Sequence, residues 1–455
     1  MGIDQAFSSV TMEHITLLNQ SKAGFQLMQN IASIRDLTSV NTVPVIVATG
    51  TSALVVLDGI FSGGAGGSAA ITMRSPGQMY LRNIINSGYG AISAKNGSTV
   101  AAGGSLTEYS SSAPVSAFST PAQALTLPIQ ETPEYSDNNF ANWANVKRYG
   151  AVGDGNHDDA PALQASIDSG KSTVYLPFGT YKFGSQVIVR GNVCILRGFG
   201  GTISDDGTFS YTPFKIQNTS CPSVTLQNLR RRSGFSGPIE GASTGTVVLK
   251  DICAFGYATT AGWTGGGSVF MEDPSFGPYY FTQQTVWARQ LNPENRAEHA
   301  INDGGQLWVL GLKTENPGSR GVNPSTILES RNGAKSKVLG GYQSTQGLNG
   351  NSIKGSINCS KNGSSACLMY VTTESAATVF TVADWGYWNP SMYVTRNGVG
   401  AAITTSSLSF GGPGPFYWFM NVTPYAGLVT PVRGCRYQIR KDSIPQRPTS
   451  IVGSR

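Results

Sequence analysis

Asn145-Val-Lys-Arg-Tyr-Gly-Ala-Val-Gly-Asp-Gly-Asn-His-Asp-Asp-Ala-Pro-Ala-Leu-Gln-Ala-Ser-Ile-Asp-Ser-Gly170 decides how the chain folds. It reads as a short strand over Val146 to Tyr149, a Gly-Asp-Gly turn, and an amphipathic helix near 158–169. Asp158 or Asp159 can cap that helix, because a carboxylate accepts the unpaired amide hydrogens of a first turn and suits its positive end. Pro161 fits the first turn, Ala162, Leu163, Ile167 and either Ala165 or Ser166 form a buried stripe, and Gly170 stops the helix. Next comes Thr173-Val-Tyr-Leu-Pro-Phe-Gly-Thr-Tyr-Lys-Phe183, two short strands broken by Pro177 and Gly179. One capping helix followed by short strands is how a coil of parallel strands opens.

Working outward, the coil signature recurs on both sides. Val10-Thr-Met-Glu-His-Ile15, Ala32-Ser-Ile-Arg-Asp-Leu37, Val55-Val-Leu-Asp-Gly-Ile60 and Met79-Tyr-Leu-Arg-Asn-Ile84 share alternating inward positions and a following apolar anchor. The anchors Ile15, Leu37, Ile60 and Ile84 fall 22, 23 and 24 residues apart. Val224-Thr-Leu-Gln-Asn-Leu229, Val247-Val-Leu-Lys-Asp-Ile252, Val269-Phe-Met-Glu-Asp-Pro274, Val286-Trp-Ala-Arg-Gln-Leu291, Leu307-Trp-Val-Leu-Gly-Leu312 and Thr326-Ile-Leu-Glu-Ser330 continue it. Such a period marks a solenoid, whose turns bury their apolar side only by stacking. The expectation is an all-β chain: two tandem right-handed parallel β-helix domains, 1–104 and 140–455, joined by a Pro-rich linker over 105–139.

The run Asn145–Phe183 resembles the opening of the pectate-lyase-like superfamily of right-handed parallel β-helices. Two such helices in tandem are similar to glycoside hydrolase family 55, the exo-acting β-1,3-glucanases. In that family the first β-helix also opens with a G-A-x-G-D-G segment, which residues 1–100 lack. The resemblance therefore implies a truncated first domain, and leaves open an oligomer paired end to end or a missing N-terminal partner segment. It implies a secreted protein acting on a polysaccharide or oligosaccharide, although Met1–Phe7 has neither the basic region nor the apolar stretch of a signal peptide.

Composition sets limits. The chain has 455 residues, 56 of them glycine, and only 13% charged, which suits many turns and short strands. No apolar run approaches the roughly 20 residues of a membrane span. The net charge is +6, and residues 433–455 hold six Lys or Arg against one Asp. A basic tail without a nucleic-acid fold gives no reason to expect DNA or RNA. Six cysteines lack any C-x-x-C pair and read as buried thiols, with a Cys359–Cys367 bridge open. Three histidines make no metal site, and no cofactor is expected.

Chemistry must then come from carboxylates. Hydrolysing a glycosidic bond needs an acid for the leaving oxygen, and inversion needs a base about 6.5–9.5 Å away. Leu307-Trp-Val-Leu-Gly-Leu-Lys-Thr-Glu315 resembles the family-55 stretch W-L-Y-G-T-x-x-E-H, with Trp308, Gly311 and Glu315 matching and Asn316 in place of His. The resemblance implies Glu315 as acid; the stacking of neighbouring coils about 4.8 Å apart leaves the base among Glu272, Glu294, Asp303 and Glu329. Alternation points Glu272 outward, where it can line a surface groove, whereas Asp251 and Asp273 stack with Asn228 as a polar turn ladder. His299 stands where it can tune an acid. Trp287, Trp308, Trp385 and Trp388 are candidate platforms for sugar rings. A non-catalytic glycan-binding or fibre-like β-helix and a polysaccharide lyase are the competing classes.

Overall fold

The protein is described by a computed structural model covering residues 3–6, 9–28, 31–50, 53–74, 77–111, 124–204, 212–232, 237–294, 299–315, 326–344, 370–373, 375–384, 391–396 and 399–404. These residues form a right-handed parallel β-helix with one α-helix. Two stacks of coils pack side by side. The first is walled by a six-stranded and a five-stranded sheet, the second by sheets of eleven, four and ten strands. Among the described residues, antiparallel strands end both sheets of the first stack, Ser98–Ala102 on Ala91–Lys95 and Ser105–Ser110 on Gln78–Ser87, and the ten-stranded sheet of the second, Val399–Thr404 on Ser391–Arg396. Reversing the last strand blunts an edge that would otherwise template further pairing.

The helix Ala160–Ile167 covers the opening of the second stack. Asp158 caps it through Ala160 N at 3.2 Å, and also receives Gly184 N at 2.8 Å. Asp159 turns the other way and accepts from Val152 N and Gly153 N. Ala162, Leu163, Ser166 and Ile167 are buried, so Ser166 rather than Ala165 completes the stripe. The strand expected over Val146 to Tyr149 lies one step earlier, at Trp143–Asn145; Val146–Tyr149 is a 3-10 turn because the Asn145 side chain accepts from Lys147 N.

One backbone device explains the repeat. The wide strands bend at a single left-handed residue: His14, Asp36, Asp58 and Asn83 in the first stack, Asn228, Asp251, Asp273 and Gln290 in the second, with φ between 50° and 56°. Asn and Asp tolerate this region because their short polar side chains bond locally. The bend returns the next residue to the interior, so Leu37, Ile84, Leu229, Ile252 and Leu291 are buried behind it. Asp251 and Asp273 belong to this ladder, as their spacing predicts. Burial, with Asp251 nearby, raises the Asp273 carboxyl above its ordinary value.

Two sequence assignments are corrected by the pairing. Gly59, not Ile60, pairs with Leu37 and Ile84. Ile60 is 48% exposed, and the Phe61 ring fills the space beside Gly59, where a Cβ would meet its Cζ at 2.8 Å. Thr326 to Ser330 is likewise out of register. Leu328–Arg331 belongs to the ten-stranded sheet, and the next wide strand is Lys335–Ser344, bent at Gly340.

At Gly311 and Gly340 the bend meets the first stack. A Cβ on Gly311 would lie 1.7 Å from Thr11 Oγ1, and one on Gly340 1.7 Å from Ser33 Oγ. Gly311→Ala therefore combines a left-handed φ of 72° with a clash across the stacks. It is expected to cost about 2–3 kcal/mol, read as a lower urea midpoint.

Three apolar clusters result. One fills each stack, and a third lies between them, built from Ile31, Val55, Leu57 and Tyr80 of the first stack and Phe270, Trp287, Trp308, Leu310 and Phe380 of the second. Ala124 and Leu127 from the segment joining the stacks complete it. That segment is an extended strap along the eleven-stranded sheet. Leu125 O receives Lys337 Nζ at 2.7 Å, Pro128 O receives Trp287 Nε1 at 2.8 Å, and Gln130 O receives Arg289 Nη2 at 2.8 Å. Further along, Glu134 meets Lys250 at 2.5 Å and Asp137 accepts from Ser172 at 2.7 Å. Seven strand spacings separate the strands of Lys337 and Thr173, roughly 34 Å, and the twelve residues from Leu125 to Asp137 reach about 40 Å when extended.

The thiol expectation is also corrected: Cys194 and Cys221, on neighbouring coils, form a disulfide with Cα atoms 5.4 Å apart. Cys359 and Cys367 lie outside the described residues. Among the described residues, no helix is long and apolar enough to cross a membrane.

Candidate functional site

The strap decides which faces can meet a polymer. Glu272 points outward in register with Gln227, Lys250 and Arg289, as alternation predicts. The strap runs along this face beside it. Lys250 bridges Glu272 at 2.8 Å and Glu134 of the strap. Burial pulls the Lys250 ammonium down, but the two carboxylates hold it above the ordinary lysine value. Trp287 and Trp308 are 3% and 2% exposed in the cluster between the stacks, so neither offers a face to a sugar. Trp385 and Trp388 lie outside the described residues.

The other carboxylates fall in two places. Glu294 follows the strand Thr285–Pro293 and is held by Lys313. Glu315 ends the strand Gln306–Glu315, and its side chain is outside the described set. His299 is fully buried, with Nδ1 3.0 Å from Thr314 Oγ1.

Asp303 and Glu329 come together on the ten-stranded sheet. In Ala300–Asp303 and Leu328–Arg331 burial alternates, so Ile301 and Asp303 share the outer face with Glu329 and Arg331. Ile301 pairs with Glu329 and Asp303 with Arg331. The Arg331 guanidinium binds Asp303 Oδ2 through Nε at 2.9 Å and Nη2 at 2.8 Å, and its Nη1 lies 3.9 Å from Glu329 Oε1. Asn332 Nδ2 donates to Asp303 Oδ1 at 2.7 Å. Two carboxylates thus stand within the width of one guanidinium on a partly exposed surface. An arginine fork there can take a further carboxylate, and a carboxylate beside it can take a proton. Asp303 and Glu329 are both among the candidate acids; Arg331, which joins them, was not assigned a place beside them because the strand carrying it lies in the ten-stranded sheet rather than where its apolar spacing put it. Among the described residues, no group of three or more His, Cys, Asp or Glu has a metal-holding arrangement.

A second feature had no sequence assignment. A shallow pocket of about 250 Å³ opens where the strap ends, lined by Tyr135, Asp137, Phe140, Trp143, Thr173 and Arg197 among others.

Compared with known proteins, residues 143–202 match the family model described as rhamnogalacturonase A/epimerase, pectate lyase-like. Over 129 residues the chain is 55% identical to mannuronan C5-epimerase AlgE3 of Azotobacter vinelandii, covering 24% of this chain and 7% of that protein. Over 71 residues it is 42% identical to alginate lyase 7 of the same organism, covering 13% and 8%. The chain thus spans under a tenth of the length of these relatives. A variant of sacteLam55A from Streptomyces sp. SirexAA-E, solved in complex with glucose, aligns over 86% of this chain and 83% of its own, at 11% identity and a TM-score of 0.31. The opening of the second stack is therefore pectate-lyase-like, and the fold it begins is a right-handed parallel β-helix.

Proposed function

We propose that this chain acts on an anionic polysaccharide, a polyuronate, at the outer face of the ten-stranded sheet. The observation that carries this reading is the Asp303–Arg331–Glu329 cluster. A uronate unit brings a carboxylate that matches the arginine fork, and pairing it with a cation acidifies the neighbouring C5–H. Asp303 or Glu329 then takes that proton. Loss of the C4–O bond, with the proton passed to the leaving oxygen, gives chain cleavage with an unsaturated product; return of a proton to the opposite face of C5 gives epimerisation. The epimerase and lyase names of the matched relatives support a uronate over a neutral glucan. The Cys194–Cys221 bridge supports an oxidising, extracellular location.

Inverting hydrolysis of a β-1,3-glucan, with Glu315 as acid and a base among Asp303, Glu329, Glu272 and Glu294, is the second reading. It is favoured by the Trp308, Gly311 and Glu315 match and by the nearness of Asp303 to Glu329. Packing accounts for two of those three residues, since Trp308 is buried between the stacks and Gly311 makes room for Thr11. That weakens the match as a sign of glucanase chemistry.

The test is incubation with alginate, polygalacturonate, laminarin and xylan, reading unsaturated-uronate absorbance, reducing ends and C5 configuration by NMR. Turnover is expected on a polyuronate, with Arg331→Ala and Asp303→Asn each slower by about 100-fold or more. Reducing ends from laminarin that vanish in Glu315→Gln would establish the hydrolase instead. Binding without product would make the protein a glycan-binding β-helix.

A further inference from the structure

We propose that the pocket at the end of the strap is a separate subsite for a single uronate residue of the polymer. This rests on the polyuronate reading for its ligand class, while the site itself is built from other residues. The pocket lies on the eleven-stranded sheet, five strand spacings along the stack from the Asp303 cluster, or roughly 24 Å.

Its floor is the start of that sheet, where Trp143, Thr173 and Ile195 occupy paired positions on successive strands. Its wall is the strap from Tyr135 to Asn138. About 250 Å³ is just below the usual range for small-molecule sites, roughly 300–1,000 Å³, and suits one ring of a chain rather than a whole oligosaccharide.

Three observations fix the chemistry. First, aromatic rings are exposed here. Phe140 is 75% and Phe199 45% exposed; the Phe140 ring lies 5.1 Å from Trp143, and Trp143 runs nearly parallel to Phe199 at 6.3 Å. Flat apolar faces in water suit the C–H face of a sugar ring. Second, Arg197 lines the pocket with its Cζ 5.8 Å from the Trp143 ring and 5.9 Å from the Phe199 ring. Its Nε donates to Gln227 at 3.2 Å, and no described carboxylate lies within ion-pairing distance of it. Burial lowers the guanidinium below its ordinary value, with only a partial offset from Glu134, so an arriving carboxylate would relieve a real desolvation cost. Third, Thr173 is fully buried in the pocket floor, and its Oγ1 makes no hydrogen bond within the protein. A buried hydroxyl without a partner is costly, and a sugar hydroxyl would satisfy it. Asp137 accepts from Ser172, Asn139 and Asn142, bonds that hold its carboxylate ionised and turned into the wall, so Arg197 is the cation of a lining that also carries this one anion.

The experiment titrates the whole protein with galacturonate and mannuronate oligosaccharides, and with laminari-oligosaccharides of equal length, by calorimetry and tryptophan fluorescence. Phe140→Ala and Arg197→Gln are each expected to weaken uronate binding about tenfold. Arg197→Gln should also erase the preference for uronate over neutral sugar. Arg331→Ala serves as a control that should retain the Trp143 fluorescence response while losing turnover. If the wild type binds uronate oligosaccharides and both pocket variants bind equally well, the subsite is wrong and the polyuronate reading stands. If the wild type neither binds nor turns over any uronate, both fall together.

Discussion

Arg289→Ala is expected to destabilise the fold by about 3–5 kcal/mol, the usual cost of removing one partner from a buried ionic network. Arg289 is 7% exposed and holds three pieces of chain at once. Its Nε donates to Glu13 of the first stack at 2.6 Å, its Nη2 to the strap at Gln130 O, and its guanidinium lies 5.4 Å from the Trp308 ring of the second stack. Arg35 shares Glu13 and also pairs with Glu131 of the strap at 2.5 Å. Deleting one cation leaves Glu13, its side chain only 13% exposed, with half its compensation. Arg289→Lys should recover only part of the loss, since one ammonium cannot reproduce the fork that spans Glu13 and Gln130. Urea unfolding measures both variants. A loss below about 1 kcal/mol for Arg289→Ala would show that the network behaves as a solvated surface pair.

The same network shows what the chain could and could not disclose in advance. Coils were legible because interior burial repeats every coil, and outward positions such as Glu272 followed from strict alternation along a strand. The left-handed bend was legible as a polar turn ladder at Asn228, Asp251 and Asp273, but not at His14 or Gln290, whose side chains carry no such signal. Where glycine followed the bend, as at Gly59, apolar counting slid to the neighbouring Ile60. The strap was hidden for another reason. Its partners, Lys337, Trp287, Arg289 and Lys250, lie more than a hundred residues away, and Pro128 and Pro133 give it no periodicity of its own. Once it crosses the sheet, Trp287 and Trp308 change from sugar platforms to packing. The pocket left a weaker trace: Trp143, Tyr175, Arg197 and Phe199 cluster within the first three coils, and aligning those coils would have shown one aromatic patch around an arginine.

Raising the pH from 7 toward 9.5 is expected to stabilise the protein through Lys337. This lysine is fully buried between the stacks, donating to Leu125 O at 2.7 Å and lying 6.0 Å from the Tyr80 ring. Burial pushes its ammonium down to about 7, Arg82 adds to the shift, and Glu108 and Asp58 oppose it. In the unfolded chain the same group holds its proton to about pH 10.4. Between those two values the unfolded state binds the extra proton, so stability rises with pH by up to about 1.4 kcal/mol per unit, and is flat from this group below pH 7. Tyr257 and Tyr279, whose hydroxyls burial raises above the ordinary value, pull the other way once the unfolded tyrosines ionise near pH 10. The window to measure therefore closes at about pH 9.5. Lys337→Met keeps the length and apolar contacts of the stem while removing the titration. Urea midpoints at pH 6, 7, 8 and 9 should rise more steeply in the wild type than in the variant, with the two profiles parallel below pH 7. Equal slopes throughout would mean that Lys337 keeps its charge in the folded protein, and that the strap is held by an ammonium rather than an amine.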